Sequence, residues 1–353
     1  MSPPGRPKGE CLSAQREGSP VSPPSRPKGE SCEQQREGSP VSGAARRPVK
    51  LATLLRIALA LQLGAGFLLG LWLLPEGAPL WQAALIALAL PPAATAAVLA
   101  LETAVAEWVD PGAPRAPPAR LLRACAGETW CHLRAFAWRQ PFAAGFPEPA
   151  LATDPQRPAL LLLAGYVCNR AVWQPLLASG RLGQCNVATV DLLPVFGPID
   201  RYAQSIDAAI DRLRAATGAT RVTLVCHSMG GIAARDYLRR HGDSAIERVI
   251  TIGSPHHGTI FGSLGYGANA RQMARGSAFL TALAAAEDGP LRRRFVCIAS
   301  SDDSLVVPRA SPLLPDAEHR LVDGVGHLAL LEDERVWDLI VAAVRPRAAI
   351  ATA

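Results

Sequence analysis

VTLVCHSMGG, residues 222–231, joins an apolar run to an amphipathic one through a five-residue turn built almost wholly from small side chains. The run 222–225 reads as a buried strand, and the segment from 232 onward has helical spacing. A strand that turns straight into a helix at Ser228 forces that serine into a strained backbone geometry. The positions two before and two after it must therefore be small. Gly230 satisfies this fully, and Cys226 stands where the usual G-x-S-x-G pattern has glycine, a departure that still leaves a small side chain. Such a turn lifts the hydroxyl above the sheet and sets it at a helix N-terminus, where the dipole favours developing negative charge.

Working outward, residues 160–163, 187–190, 222–225, 249–252 and 295–298 are short and almost wholly apolar. Between them, residues 199–216 place Ile206, Ile210 and Leu213 at intervals of three and four, and residues 232–239 show the same period. Near-continuous apolar strands alternating with amphipathic helices predict a mostly parallel sheet covered by helices on both faces, an α/β domain over residues 159–347.

A serine hydroxyl needs a base. His327, in VDGVGHLALL after the run 320–322, sits on a late loop flanked by glycines and is the expected base. The remaining histidines have plainer readings. His227 adjoins Ser228 but points away from it, His132 lies on a helix surface, His241 closes a helix and His319 ends a strand. His256 and His257, in SPHHGT, follow a strand and could line the pocket. The orienting carboxylate should come from SSDDSLVVP, residues 300–308. Asp303 is favoured over Asp302 because it stands three residues before the valine of the loop. The order Ser228, Asp303, His327 is one of the known chain orders of a serine triad. Two backbone amides would complete an oxyanion hole: that of Met229, next to the nucleophile, and that of Tyr166, on the tight turn at Gly165 after the first core strand.

These motifs, AGYVCNRAVW, CHSMGG, GSPHHGT, SSDDSLVVP and GVGH, resemble the α/β-hydrolase superfamily and, within it, bacterial lipases and esterases, over about residues 159–344. The resemblance implies an acyl-enzyme on Ser228, a proton shuttle at His327 and an imidazole held by Asp303. It also implies a small cap over residues 258–290, with Phe261, Leu264, Met273, Phe279 and Leu280 as candidates for an acyl channel, although a plain core helix fits those residues equally. Lipases of this kind have His-Gly before the oxyanion residue, and here Ala164 replaces that histidine. The implied activity is cleavage of lipid or apolar carboxylic esters. Acyl transfer or thioester hydrolysis needs the same triad, and a non-catalytic membrane scaffold is the reading outside enzymology.

The rest of the chain is of a different kind. Residues 1–50 are a basic tail in which SPPGRPKGECLSAQREGSPV, residues 2–21, recurs as SPPSRPKGESCEQQREGSPV, residues 22–41. Rich in Pro, Gly, Ser and charge, it is expected to be disordered. The tail holds nine Lys/Arg against five Asp/Glu, most of the chain's net charge of +6, so the remainder is near neutral and unlike a nucleic-acid groove. Residues 51–74 and 80–101 each reach the roughly 20 apolar residues needed to cross a bilayer. Arg46, Arg47 and Lys50 precede the pair and Arg115, Arg120 and Arg123 follow it, whereas the connector carries only Glu76. By the positive-inside rule this predicts a transmembrane hairpin over residues 51–104 in the inner membrane, its outer ends and the catalytic domain cytoplasmic. A single span with a periplasmic catalytic domain is the rival. The fifty-residue lead and the lack of an A-x-A site argue against a signal peptide. Trp72 and Trp81 would mark one interface, Gly66 and Gly70 a helix-packing face, and Pro91-Pro92 a kink. Residues 105–158 read as a juxtamembrane linker with one helix near 129–139. The eight cysteines form no C-x-x-C pair and are expected to be mainly reduced. No metal cluster, dinucleotide fingerprint or phosphate loop occurs, so no cofactor is expected.

Overall fold

The computed structural model describes residues 50–110 and 116–344. The N-terminal repeat lies outside the described residues. Six strands form one parallel sheet in the order β2-β1-β3-β4-β5-β6: β1 Ala159–Leu163, β2 Asn186–Val190, β3 Val222–His227, β4 Ile246–Ile252, β5 Phe295–Ser300 and β6 Glu318–Val322. The chain runs outward from β1 to β2 and then returns past β1 to β3. The crevice at the carboxyl ends of β1 and β3 is thus the topological switch point, where open α/β sheets hold their ligands.

The apolar runs are continuous because both faces are covered. Leu161 and Leu163 of β1 join one core cluster, and Leu160 and Leu162 join the other, as the two-residue period of a strand requires. One layer is made by the helices we label α4, Tyr202–Thr217, and α5, Met229–His241. Helix α4 buries Ile206, Ala209, Ile210 and Leu213 in this layer and stops at Gly218, whose φ of 76° continues the chain left-handed. Segment 258–290 contributes a further helix to it, α6, Ala278–Ala285. The opposite layer contains α7, Glu334–Val344, with Val336, Trp337 and Ile340 buried. It is completed by Cys131 and Ala135 from a helix that precedes the sheet, α3, Pro118–His132, and its continuation as a π-helix over Leu133–Arg139. The sequence places one helix near 129–139; the structure starts it eleven residues earlier. Residues 118–127 carry two arginines and no continuous apolar stripe, so hydropathy alone does not mark that stretch. Strand β6, at the sheet edge, exposes His319, Arg320 and Leu321, and its charged positions discourage further pairing there.

Helices α1, Leu51–Leu73, and α2, Leu80–Val109, are antiparallel neighbours long and apolar enough to cross a membrane. Only 11% of the apolar window of each is buried, unlike the core helix of a globular domain. They meet through small residues: a Cβ on Gly70 would fall 2.8 Å from the Ala83 Cα, and one on Gly66 2.9 Å from the Ala87 Cα. This is the close backbone approach that small-xxx-small spacing permits. Pro91 and Pro92 lie inside α2 without ending it, and the Thr95 hydroxyl donates to the Pro91 carbonyl at 2.9 Å.

Candidate active site

Ser228 occupies the single residue between β3 and α5, with φ 52° and ψ −123°. A non-glycine residue in this region is strained, and the surroundings hold it there. Its N–H donates to the Ile252 carbonyl at 2.9 Å, and its own carbonyl accepts from Gly231. The crowding explains the small neighbours. A Cβ on Gly230 would lie 2.6 Å from the Leu163 carbonyl oxygen, and one on Gly165 would lie 2.9 Å from the Ser228 Cβ. The fully buried Cys226 side chain fills the place two residues before the serine. Gly165 therefore brings the turn after β1, with Tyr166, directly against the serine, while Met229 opens α5 on the other side. Val167, in that same turn, is also left-handed, with φ 52°.

Of the sequence-predicted residues, the structure brings Ser228, His327 and Asp303 into one hydrogen-bonded chain. His327 Nε2 is 3.0 Å from Ser228 Oγ, and His327 Nδ1 is 2.7 Å from Asp303 Oδ2. All three are buried, with 7%, 4% and 1% of their surfaces exposed for Ser228, His327 and Asp303. With the ring proton on Nδ1, donated to the carboxylate, Nε2 is left to accept from the serine hydroxyl. Asp303 is itself held, because its Oδ1 accepts the N–H groups of Leu305 and Val306, each at 2.9 Å. Asp302 faces elsewhere: it accepts from Arg120 Nε at 3.2 Å and from the Gly324 N–H at 2.6 Å, tying down the turn before His327. Burial opposes the charged form of His327, but the charge and hydrogen bond of Asp303, with Glu128 and Glu102 adding to them, raise its pKa above the ordinary value.

Glu128 is the residue that sequence reasoning missed. It lies on α3 and is almost wholly buried. Its two carboxylate oxygens accept the N–H groups of Leu328 and Ala329, each at 2.8 Å, immediately after the histidine. Gly326 presses on it so closely that a Cβ there would sit 2.4 Å from Glu128 Oε2. A signal existed: over residues 111–139 Glu128 is the single acid among five arginines. His227 supports the same loop: its Nε2 lies 3.2 Å from the His327 carbonyl oxygen and its ring is 4.9 Å from the His327 ring. Burial, then the proximity of His327, lowers its pKa well below the usual value and keeps it neutral. His256 is buried with Nε2 3.1 Å from Thr251 Oγ1, and His257 pairs with the Leu313 carbonyl; the cavity wall is formed instead by their neighbours Pro255 and Thr259.

Ser228 opens into a cavity of about 630 Å³. Tyr166, Phe261, Leu264 and Met273 line it, while on α6 Leu280 belongs to the core cluster and Phe279 packs against that cluster. The tyrosine hydroxyl donates to the Tyr266 carbonyl at 2.7 Å and fixes that wall. Val98, Leu101, Glu102 and Val105, from the second half of α2, line the cavity too. The six described cysteines are free, and Cys11 and Cys32 lie outside the described residues.

Residues 199–264, which span α4, β3, the serine turn, α5 and β4, match the family model described as a PGAP1-like alpha/beta domain. A triacylglycerol lipase of Pseudarthrobacter phenanthrenivorans is 42% identical over 65 residues, covering 18% of this chain and 20% of that protein. One of Burkholderia plantarii is also 42% identical over 65 residues, covering 18% of each. The match thus spans about a fifth of the length of these curated relatives. Among solved structures, Aspergillus fumigatus lipase B superposes with a TM-score of 0.49 at 17% identity, over 56% of this chain and 55% of that one. Mature Bacillus licheniformis lipase BlEst2 gives 0.48 at 19%, over 56% and 96%. The all-parallel sheet with its switch point between β1 and β3 and the strained serine turn that closes β3 give the chain an α/β-hydrolase fold, and the segment around that turn is similar to a PGAP1-like alpha/beta domain.

Proposed function

We propose that the protein is a membrane-anchored serine hydrolase that cleaves carboxylic esters through an acyl-enzyme on Ser228. The observation that carries this reading is the buried chain Ser228–His327–Asp303 at the floor of an apolar cavity. Ser228 Oγ attacks the ester carbonyl carbon as His327 Nε2 takes its proton, and Asp303 holds the imidazolium that results. The tetrahedral oxyanion is received by the N–H groups of Met229 and Tyr166, each such donor being worth roughly 3–4 kcal/mol of barrier. Collapse breaks the ester C–O bond, and the departing alcohol takes the proton from His327. Water then attacks the acyl-enzyme, gives a proton to the same nitrogen, and releases the acid as Ser228 recovers its own.

The hairpin of α1 and α2 supplies the anchor, in the inner membrane with the catalytic domain on the cytoplasmic side. The length and apolarity of the two helices and the basic residues at their outer ends support this placement. An apolar cavity beside a lipid anchor favours lipid or other apolar esters as substrate. The test is hydrolysis of p-nitrophenyl esters, together with fluorophosphonate labelling, by the intact protein and by Ser228→Ala. Both signals should vanish in the variant. A folded wild-type protein that takes no label and turns over no ester would overturn the proposal.

A further inference from the structure

Helix α2 does more than an anchor requires. Val98, Leu101, Glu102 and Val105 all line the cavity that contains Ser228. Their spacing, i, i+3, i+4 and i+7, puts them on one face of the helix, while Leu99 and Ala106 are buried on another. The last turn of α2 is pinned to the catalytic domain. The Arg309 guanidinium pairs with Glu107, and the Arg309 N–H donates to Asp110 Oδ2 at 2.8 Å, just past the end of the helix. Arg309 lies six residues after Asp303, so the loop that carries the carboxylate also fixes the helix that walls the cavity.

The mouth of the cavity is apolar and open. Leu101 is 65% exposed and Leu264, also in the lining, 80% exposed. From Leu101 back to Leu80, α2 carries no charged residue. The rim of the cavity is therefore continuous with the surface that the hairpin presents to hydrocarbon, and an apolar chain leaving the bilayer along α2 meets no charged side chain of that helix before Glu102. Helix α2 is thus placed to select the acyl chain.

We infer that α2 is a substrate-binding element: Val98, Leu101 and Val105 form one wall of the acyl site, and the ester is a long-chain lipid taken sideways from the bilayer that holds the hairpin. The inference rests on the serine-hydrolase reading of the same site. It assigns chain-length specificity to residues outside the hydrolase domain, which a globular hydrolase builds from its own cap.

The experiment uses the full-length protein in phosphatidylcholine vesicles, with p-nitrophenyl acetate and p-nitrophenyl palmitate as probes. Leu101→Trp and Val105→Trp should each lower kcat/KM for palmitate at least tenfold relative to that for acetate, with fluorophosphonate labelling retained. Ala100→Trp, at an exposed position on the face of α2 away from the lining residues, should leave the acetate-to-palmitate ratio unchanged. Leu101 is largely exposed, so its variant tests the wall even if Val105→Trp does not fold. Palmitate ester placed in the same vesicles as the protein should be cleaved faster than ester supplied in separate vesicles. An unaltered acetate-to-palmitate ratio in labelled Leu101→Trp, or equal rates from both vesicle arrangements, overturns the inference and leaves the hydrolase reading standing. A wild type that takes no label overturns both.

Discussion

Replacing Glu128 by glutamine should damage catalysis without touching any member of the Ser228–His327–Asp303 chain. The carboxylate accepts two buried backbone N–H groups at 2.8 Å, those of Leu328 and Ala329, and so fixes the path of the chain immediately after His327. A hydrogen bond to a charged acceptor contributes about 1.5–3 kcal/mol, and a buried donor left unpaired costs about 1–3 kcal/mol. Glutamine keeps one carbonyl oxygen and turns an amide N–H toward the other backbone donor. One bond is lost and the second is weakened by loss of charge, which gives an expected destabilisation of about 2–3 kcal/mol. The catalytic effect follows from position: the loop loosens one residue from the imidazole, and a misplacement near 1 Å costs on the order of 10²-fold. The pH profile separates electrostatics from simple unfolding. His327 must be neutral to act as base, so kcat/KM falls as pH drops through its raised pKa. Although burial pulls that pKa down, Asp303 and then Glu128 and Glu102 hold it up, so removing the Glu128 charge moves the acid limb to lower pH. Initial rates on p-nitrophenyl acetate from pH 5 to 9, with urea denaturation alongside, measure both effects. A variant with the wild-type rate, acid limb and denaturation midpoint would refute the assignment of Glu128 as a positioning residue. A rate loss that only tracks the unfolded fraction, with no movement of the limb, would refute its electrostatic part.

Other outcomes follow from the same geometry. Asp303→Asn keeps an acceptor for Leu305 and Val306 but offers an N–H to His327 Nδ1, which favours the wrong tautomer. A fall in kcat of roughly 10³–10⁴-fold with little change in thermal midpoint is expected, and Asp302→Asn should cost far less in rate. In the hairpin, Gly70→Val drives a side chain into Ala83, where a Cβ has only 2.8 Å, and should destabilise the protein in detergent by about 1–3 kcal/mol of overpacking, read as a lowered midpoint. Gly64→Ala, where a Cβ meets nothing within 4 Å, should be neutral or slightly stabilising. Equal midpoints for the two glycine variants would remove Gly70 from the helix contact.

Much of this protein is written locally in its sequence, and the physical reason is short range. The apolar runs of β1, β3 and β5 are nearly continuous because both of their faces are buried, and burial on both faces is legible as a run with few polar residues. The serine turn is legible because a strand that bends straight into a helix admits only small neighbours, Gly230 by sterics and Cys226 by tolerance. The hairpin is legible because some twenty apolar residues in a row have few other uses. The tertiary structure alone decides what depends on contacts between distant segments. Asp302 and Asp303 are adjacent and chemically identical; the path of one loop turns the second to His327 and the first to Arg120 and Gly324. Glu128 meets Leu328 across 200 residues, and α2 lines the same cavity as Ser228 from more than a hundred residues away. Neither contact leaves a period or a motif, because a partner on a separate element constrains a residue's position in space and not the pattern of its neighbours.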